Sequence, residues 1–103
     1  MPGAVRLGDL STGPDAEGPG WPATAATVAN NSSVYVDGKL AVTKGGSFAT
    51  HQKGGTIHYE NIQRKITSGS STVFIEGNPA ARIGDSVADG DTCGGGSDDV
   101  IIG

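Results

Sequence analysis

Short apolar segments followed by an acidic residue and a glycine recur along the chain. The segment "SSVYVDGKLAV", residues 32–42, has Val34, Tyr35 and Val36 before an Asp-Gly pair and a second apolar segment after it. The segment "STVFIEGNPAA", residues 71–81, repeats this order 39 residues further along. β-Branched and aromatic residues on both sides of an acidic-Gly pair are typical of tight β-hairpins. The pattern therefore predicts two hairpins of one design.

The two ends of the chain together resemble a third copy of this unit. The C-terminal "GSDDVIIG", residues 96–103, is similar to the start of the second copy, and the N-terminal "VRLGD", residues 5–9, is similar to "ARIGD", residues 81–85. Repeats that lack a full core bury their apolar faces against one another. Three units closed by pairing of the termini predict a small body with pseudo-threefold symmetry.

Helices are not expected along most of the chain. Gly supplies 18 of the 103 residues and Pro supplies 5, and no segment keeps the apolar period of about 3.6 residues that a helix requires. One segment, "HYENIQRKI" at residues 58–66, suits either a short helix or an irregular strand. The loop at residues 13–26 is rich in Pro and Gly, and Trp21 is expected to pack it onto the body. The sequence predicts a mainly β fold.

Composition and charge exclude several classes of protein. At 103 residues and 35% hydrophobic, the chain forms a single domain, residues 1–103, with a modest core. A net charge of -4 without a basic cluster argues against nucleic acid as a partner. No signal peptide or apolar run of about 20 residues is present, so we expect a soluble product made in the cytoplasm. With one cysteine, stabilisation by a metal or a partner is expected instead of a disulfide.

Both histidines lie in "ATHQKGGTIHY", residues 49–59, on either side of a Gly-Gly pair. A two-residue turn at residues 54–55 pairs residue 53 with residue 56 and residue 52 with residue 57, so His51 faces His58. Directly opposed side chains have Cβ atoms about 4.5–5.5 Å apart, close enough to share an ion. The pair is interpreted either as metal ligands or as two surface imidazoles that only form hydrogen bonds.

Cys93 is the natural third ligand if folding brings it to the two histidines, because zinc prefers His and Cys donors. The predicted metal ligands are therefore His51, His58 and Cys93. A closed zinc site has four ligands, and water, Asp15, Asp91 or an unrecognised donor is left open as the fourth. Asp9 and Asp85, each after a glycine, are expected to be structural partners of Arg6 and Arg82.

The segment "NPAARIGD", residues 78–85, resembles the PAAR-repeat family, whose Pro-Ala-Ala-Arg motif is carried here by residues 79–82. The similarity extends over nearly the whole chain, through "AVRLGD", "SSVYVDGK", "GSSTVFIEGNPAARIGD" and "GSDDVIIG". The first central unit departs from it, because "KLAVTKGG", residues 39–46, replaces a full "NPAARIGD" segment. The return strand and turn of that unit are expected to differ.

The resemblance implies a small conical fold with three faces, a triangular base and a metal site near the vertex. In the family a cysteine in this region joins histidines around zinc, and Cys93 matches that place. The related pattern has a further His shortly after the first "GD", where this chain has Pro14. We therefore expect zinc, or iron, on three protein ligands plus an unidentified fourth.

The resemblance also implies the function of a structural tip. Such a protein caps the homotrimeric β-helical spike of a contractile phage tail, type VI secretion system or extracellular injection particle, one cap per trimer. It sharpens the spike that makes transient contact with the target envelope. We expect no effector extension and no catalysis, and the short form favours a virion component. The predicted spike interface comprises Val34, Tyr35, Val36, Val73, Phe74, Ile75, Val100, Ile101 and Ile102.

Two other functions stay open at the level of sequence. One is an adaptor on the spike that binds a receptor or an effector, although neither charged nor aromatic clusters mark a site for it. The other is a minimal zinc hydrolase, since three protein ligands with an open position also describe catalytic zinc. The hydrolase is the less favoured, because catalysis also needs a concave pocket and a placed acid or base.

Overall fold

The computed structural model describes residues 2–13, 18, 20–53, 56–57 and 64–103, and within these ranges it contains strands, turns and bridges but no helix. The predicted mainly β fold is confirmed. No described helix has the length and apolar character needed to cross a membrane. The strands are β1 Ser11–Thr12, β2 Ala26–Val28, β3 Tyr35–Val36, β4 Lys39–Leu40, β5 Ser47–Phe48, β6 Gln52–Lys53, β7 Thr56–Ile57, β8 Arg64–Lys65, β9 Phe74–Ile75, β10 Asn78–Pro79 and β11 Thr92–Cys93.

The two predicted hairpins are present. Strand β3 pairs with β4, and β9 pairs with β10, both antiparallel. Each turn has two consecutive residues with positive φ: 53° and 78° at Asp37 and Gly38, and 51° and 83° at Glu76 and Gly77. A two-residue turn with two positive φ values has a twist that matches the right-handed twist of the flanking strands, and Asp-Gly is a favoured pair for it. The acidic-Gly pairs are therefore explained by turn geometry.

The termini form the corresponding part of a third unit, as the repeats predict. Gly3 bridges Ile101, and the amide of Ala4 donates to the carbonyl of Val100 at 2.9 Å. The same bond occurs in each hairpin unit: Ala41 donates to Val34, and Ala80 donates to Val73, both at 3.0 Å. The three units thus share one backbone pattern.

The three return segments are joined to one another in a closed cycle. The amide of Val5 donates to Ala81 at 3.0 Å, Ala81 donates to Val42 at 2.9 Å, and Val42 donates to Val5 at 2.9 Å. Each unit therefore gives one hydrogen bond and accepts one. We call this set the central cycle. A threefold rotation relating the units, and the conical shape, stay predictions.

The three return segments contribute neighbouring residues to two different apolar clusters. The base cluster contains one small residue and one larger residue from each unit, namely Ala4, Val36, Ala41, Ile75, Ala80 and Ile102. The upper cluster contains Val5, Ala26, Ala29, Val42, Phe48, Ile66, Ala81, Val87 and Cys93. Alternate residues of an extended segment face opposite sides, so Ala4 enters one cluster and Val5 enters the other.

Strands β2, β5 and β11 carry residues of the upper cluster. Strands β2, β5 and β8 form a three-stranded antiparallel sheet in that order, and β1 pairs with β11. Strands β6 and β7 pair with residue 52 opposite 57 and residue 53 opposite 56, which confirms the register predicted for the Gly-Gly hairpin. His58, the partner predicted for His51, lies outside the described residues, as does most of the segment at 58–66 whose helical or strand character was left open.

The predicted Arg–Asp pairs are confirmed as structural contacts. Arg6 Nε lies 2.9 Å from Asp9 Oδ2, and Arg82 Nη2 lies 2.9 Å from Asp85 Oδ1. The hydrogen bond that Arg82 donates to Asp85 raises the pKa of Arg82 above its ordinary value. Each aspartate also accepts the backbone N–H of its arginine, at 2.8 and 2.7 Å. The carboxylates therefore close the turns, as short Asp side chains commonly do.

The first central unit keeps the turn but lacks the ion pair. Gly45 has a φ of 95°, and the backbone amide of Gly46 donates to the carbonyl oxygen of Thr43 at 2.9 Å. In the other two units the backbone amide of the aspartate donates to the carbonyl oxygen of the arginine in the same way. A side chain at position 46 has no room, because a Cβ there would lie 2.5 Å from the carbonyl oxygen of Val28 and 2.8 Å from Val42. The glycine at the end of "KLAVTKGG", where the other two units have aspartate, is thus explained by strand β2, which lies against this turn.

Replacing Gly46 by Ala is expected to lower the free energy of unfolding by about 3 kcal/mol, since backbone atoms would have to move. Gly84→Ala is the control, because Gly84 has a φ of 94° but open space around its Cβ position. That variant should lose only about 1 kcal/mol to backbone strain. Chemical denaturation measures both, and equal losses would contradict the explanation.

Candidate metal centre and base surface

His51 is buried next to the loop that precedes strand β2. Its Nδ1 lies 2.9 Å from the carbonyl oxygen of Pro22, and its ring centroid lies 4.9 Å from that of Trp21. A carbonyl oxygen only accepts hydrogen bonds, so Nδ1 carries the proton. The lone pair of the neutral imidazole is then on Nε2. In metal-binding histidines, the ring nitrogen that does not bind the metal usually donates its N–H to an acceptor such as a backbone carbonyl.

Two aspartates approach the imidazole. Asp89 Oδ2 lies 3.4 Å from His51 Nε2, and Asp91 Oδ2 lies 4.0 Å from His51 Nδ1. One candidate ligand atom from each of the three residues lies within 4.8 Å of the others. All three are nearly inaccessible, at 1–2% relative exposure. We call these residues the His51 cluster.

Arg64 completes the buried polar group. Its guanidinium donates from Nε to Asp89 Oδ2 at 2.5 Å and from Nη2 to Asp91 Oδ2 at 2.6 Å. It also lies over the ring of Phe48, with Cζ 5.8 Å from the centroid. The cluster is therefore attached to the upper apolar cluster through the arginine.

The donor set of the His51 cluster fits a divalent metal ion. Zinc binds His nitrogen and Asp oxygen at about 2.0–2.2 Å, so two tetrahedral ligand atoms lie roughly 3.3 Å apart. The 3.4 Å between His51 Nε2 and Asp89 Oδ2 agrees with that separation. One imidazole and two carboxylates also suit iron. The cluster can hold a metal, and its donors do not by themselves select one.

The structure places Cys93 in the upper apolar cluster, in strand β11 opposite Ser11. Burial, and next the charge of Asp85, raises the pKa of the thiol from 9.0 to about 12. Among the described residues, the group able to hold a metal does not include Cys93. His58 lies outside the described part of the chain, as do Pro14 and Asp15. Ligation by His58 and Cys93 stays a prediction.

Sequence reasoning anticipated part of this cluster and missed part of it. His51 was a predicted ligand and Asp91 an open candidate for the fourth position. Asp89 was missed, although "DGD" at residues 89–91 has two carboxylates on either side of one glycine, which lies in a turn with a φ of 95°. Arg64 was also missed, because no local pattern marks an arginine whose partners lie 25 and 27 residues away.

The hairpin segments expose apolar side chains at matching positions of the three units. The exposed fractions at the six positions range from 37% to 61%; the residues are Val34, Tyr35, Val73, Phe74, Val100 and Ile101. We call them the base surface. Three further residues of the predicted interface, Val36, Ile75 and Ile102, are buried at 5–8% exposure and belong to the base cluster. Six of the nine residues predicted for the spike interface are therefore exposed, and the interface itself stays a prediction.

Comparison with known proteins adds one finding. A family model described as the PAAR motif matches residues 21–95, which include both hairpins, His51 and Cys93. No curated protein matches the chain.

The raised pKa of Cys93 predicts a loss of stability in alkali. The unfolded thiol ionises near pH 9 and the folded thiol only near pH 12, so unfolding releases a proton between these values. In chelator-treated protein, the free energy of unfolding should fall by about 1.4 kcal/mol per pH unit above pH 9 relative to Cys93→Ala. Below pH 9 the difference between the two proteins should be constant.

Denaturation from about pH 7 to about pH 11 measures this difference. Lysine and tyrosine titrations are common to both proteins and cancel. A constant difference across the whole range would contradict a thiol held neutral by burial.

Proposed function

We propose that this chain, which belongs to the PAAR-motif family, is the structural tip that caps the trimeric spike of a contractile injection system. The observation that carries the proposal is the base surface: two exposed apolar residues from each of three units. These units are joined by the central cycle, in which every unit has the same two hydrogen-bonding roles. A trimeric partner presents three equivalent ends, and one copy of this chain offers three similar contacts.

The base surface has the character of a binding surface. Exposed Tyr35 and Phe74, at 61% and 57%, occupy the same position in two units, and Ile101 occupies it in the third. Large apolar side chains exposed in this way at matching positions of a small protein are a feature of interaction sites. The open end of a β-helix also exposes unpaired backbone groups and apolar side chains, which invite aggregation unless they are covered. A matching cap covers both surfaces.

The layers of the molecule suit a rigid point. We propose that the base surface and base cluster lie at one end of the molecule and that the His51 cluster, which Arg64 joins to Phe48 of the upper cluster, lies at the other. The principal extents of 37 × 23 × 23 Å give one long axis and two equal short axes. We propose that the His51 cluster lies towards the vertex, the end that meets the target envelope. The same arrangement serves a phage tail or a secretion apparatus.

We further propose that the His51 cluster binds zinc or iron as a structural ion. His51, Asp89 and Asp91 would hold it, with His58 and Cys93 as the ligands predicted from sequence. Bound there, the ion supplies coordination bonds between segments that are 38 residues apart in the chain. That stabilisation matters because the apolar clusters are small and the chain has one cysteine.

A hydrolytic function is not favoured by the site. The three residues of the His51 cluster are 1–2% exposed, whereas a catalytic ion must reach its substrate. An adaptor for a receptor or an effector would use an asymmetric surface. The base surface instead repeats one apolar pair three times, which suits a threefold partner.

Phe74→Lys should abolish capping of a trimeric β-helical spike protein from a contractile injection system, because a charge would enter the apolar contact. We expect affinity to fall at least about 100-fold, as for a central interface residue. Leu10→Lys is the control, since Leu10 is 52% exposed but lies outside the three hairpin segments. Native mass spectrometry should show one cap per trimer for the wild type and for Leu10→Lys.

A double exchange tests the threefold character of the partner. Tyr35→Phe with Phe74→Tyr moves one hydroxyl group from the first unit to the second. A threefold spike presents the same contact to both units, so affinity should change less than about threefold. An asymmetric adaptor partner would distinguish the two arrangements, and a large change would therefore contradict capping of a trimer.

Metal analysis of purified protein should show one zinc or iron ion per chain. His51→Ala and Asp89→Asn should each lower the content well below one, because each removes a proposed ligand. Asp85→Asn is the matched control: Asp85 is also buried and also paired with an arginine, but it lies outside the His51 cluster. Absence of a stoichiometric ion in the wild type, or equal loss in all three variants, would contradict the proposed site.

A further inference from the structure

Arg64 is the largest fully buried polar side chain among the described residues, at 2% relative exposure. A guanidinium has five N–H donors, and here every one has an acceptor. Nε donates to Asp89 and Nη2 donates to Asp91 and, at 3.1 Å, to Ser11 Oγ. Nη1 donates to the hydroxyl of Thr24 and, at 2.8 Å, to the carbonyl of Ala49. The arginine therefore has one defined position.

The arginine holds the oxygen atoms that face the imidazole. Oδ2 of Asp89 accepts from Arg64 and lies 3.4 Å from His51 Nε2. Oδ2 of Asp91 accepts from Arg64 and lies 4.0 Å from His51 Nδ1. A carboxylate oxygen has two lone pairs, so it can accept a hydrogen bond and bind a metal at once. The contacts to Arg64 are thus compatible with ligation.

The charges of the group also suit a bound cation. Among the described residues of the group, the formal charges of Asp89, Asp91 and Arg64 sum to one negative charge when the imidazole is neutral. Arg64 contributes a positive charge that pairs with both buried carboxylates, and removing it would be costly at this depth. Lysine could not replace the arginine, since an ammonium lacks the planar fork that reaches both carboxylates together.

We propose that Arg64 is the positioning residue of the metal site: it holds Asp89 and Asp91 beside His51 before an ion binds. This inference rests on the proposed metal site. Arg64 also donates to Thr24, Ala49 and Ser11, which belong to three other segments of the chain. These bonds fix the guanidinium, and the guanidinium in turn fixes the two carboxylates. Partners of metal ligands typically change metal affinity 10- to 100-fold when they are replaced.

The test compares Arg64→Lys with Arg82→Lys. Arg82 likewise contacts a buried aspartate, Asp85, but it does not contact the His51 cluster. Zinc affinity is measured by competition with a chromophoric chelator, and folding is checked by circular dichroism. We expect Arg64→Lys to bind zinc 10- to 100-fold more weakly and Arg82→Lys to remain within about twofold of wild type. The absorption bands of the Co²⁺-substituted protein should shift in intensity only for Arg64→Lys, because they report ligand geometry and not stability.

A second variant decides the question if Arg64→Lys does not fold. Thr24→Val keeps the side-chain shape and removes one acceptor of Arg64 without changing a proposed ligand. We expect it to bind zinc several-fold more weakly, with an altered Co²⁺ spectrum. Wild-type affinity and an unchanged spectrum in Thr24→Val, or in a folded Arg64→Lys, would overturn the inference. Equal weakening in Arg82→Lys, or a wild type that binds no zinc, would also overturn it.

Spike binding separates this inference from the proposed function. Arg64→Lys should still form the complex with one cap per spike trimer, since its base surface is unchanged. A wild type that caps the spike but binds no zinc overturns the inference and the proposed metal site, and leaves the capping function standing. A chain whose zinc affinity depends on Arg64 but that forms no complex supports the inference and contradicts the capping function.

Discussion

The central cycle is the constraint on which the rest of the structure depends. Three amides, of Val5, Val42 and Ala81, each donate to the next unit, so removing any one unit breaks two of the three bonds. The approach is close because Ala80 and Ala81 are fully buried with only a methyl group as side chain. No single repeat contains enough apolar surface for a core, and each becomes stable only against its neighbours. The cycle joins two short hairpins and the paired termini into one body.

The cycle also separates two kinds of surface. On one side the units keep their similarity, so they present matching exposed apolar pairs, as the proposed capping of a trimer requires. On the other side the units differ: strand β2 lies against the turn at Gly46, while the turns at Asp9 and Asp85 have arginine partners. The insertions that break the similarity build the sheet, the buried arginine and the His51 cluster. The similar parts of the units form the base surface, and the parts in which the units differ form the His51 cluster.

Much of the fold could be predicted from local pattern. The acidic-Gly turns, the pairing of the termini and the register around residues 54–55 follow from short segments, because turn geometry and alternation depend on near neighbours. The pairing of Arg6 and Arg82 with aspartates three positions on is likewise a local contact. The base surface was located by the same repeats, but the sequence did not separate its exposed residues from Val36, Ile75 and Ile102, which face inwards.

The site divides in the same way. The sequence by itself determined that the chain is a mainly β member of a recognisable family, with His51 as a candidate ligand. Only the tertiary structure showed that Asp89 and Asp91 lie beside that imidazole and that Arg64 joins them. It also placed Cys93 among apolar neighbours that raise its pKa to about 12. The reason is range: a turn is decided by adjacent residues, whereas a buried ion cluster is decided by which distant segments the packed strands bring together.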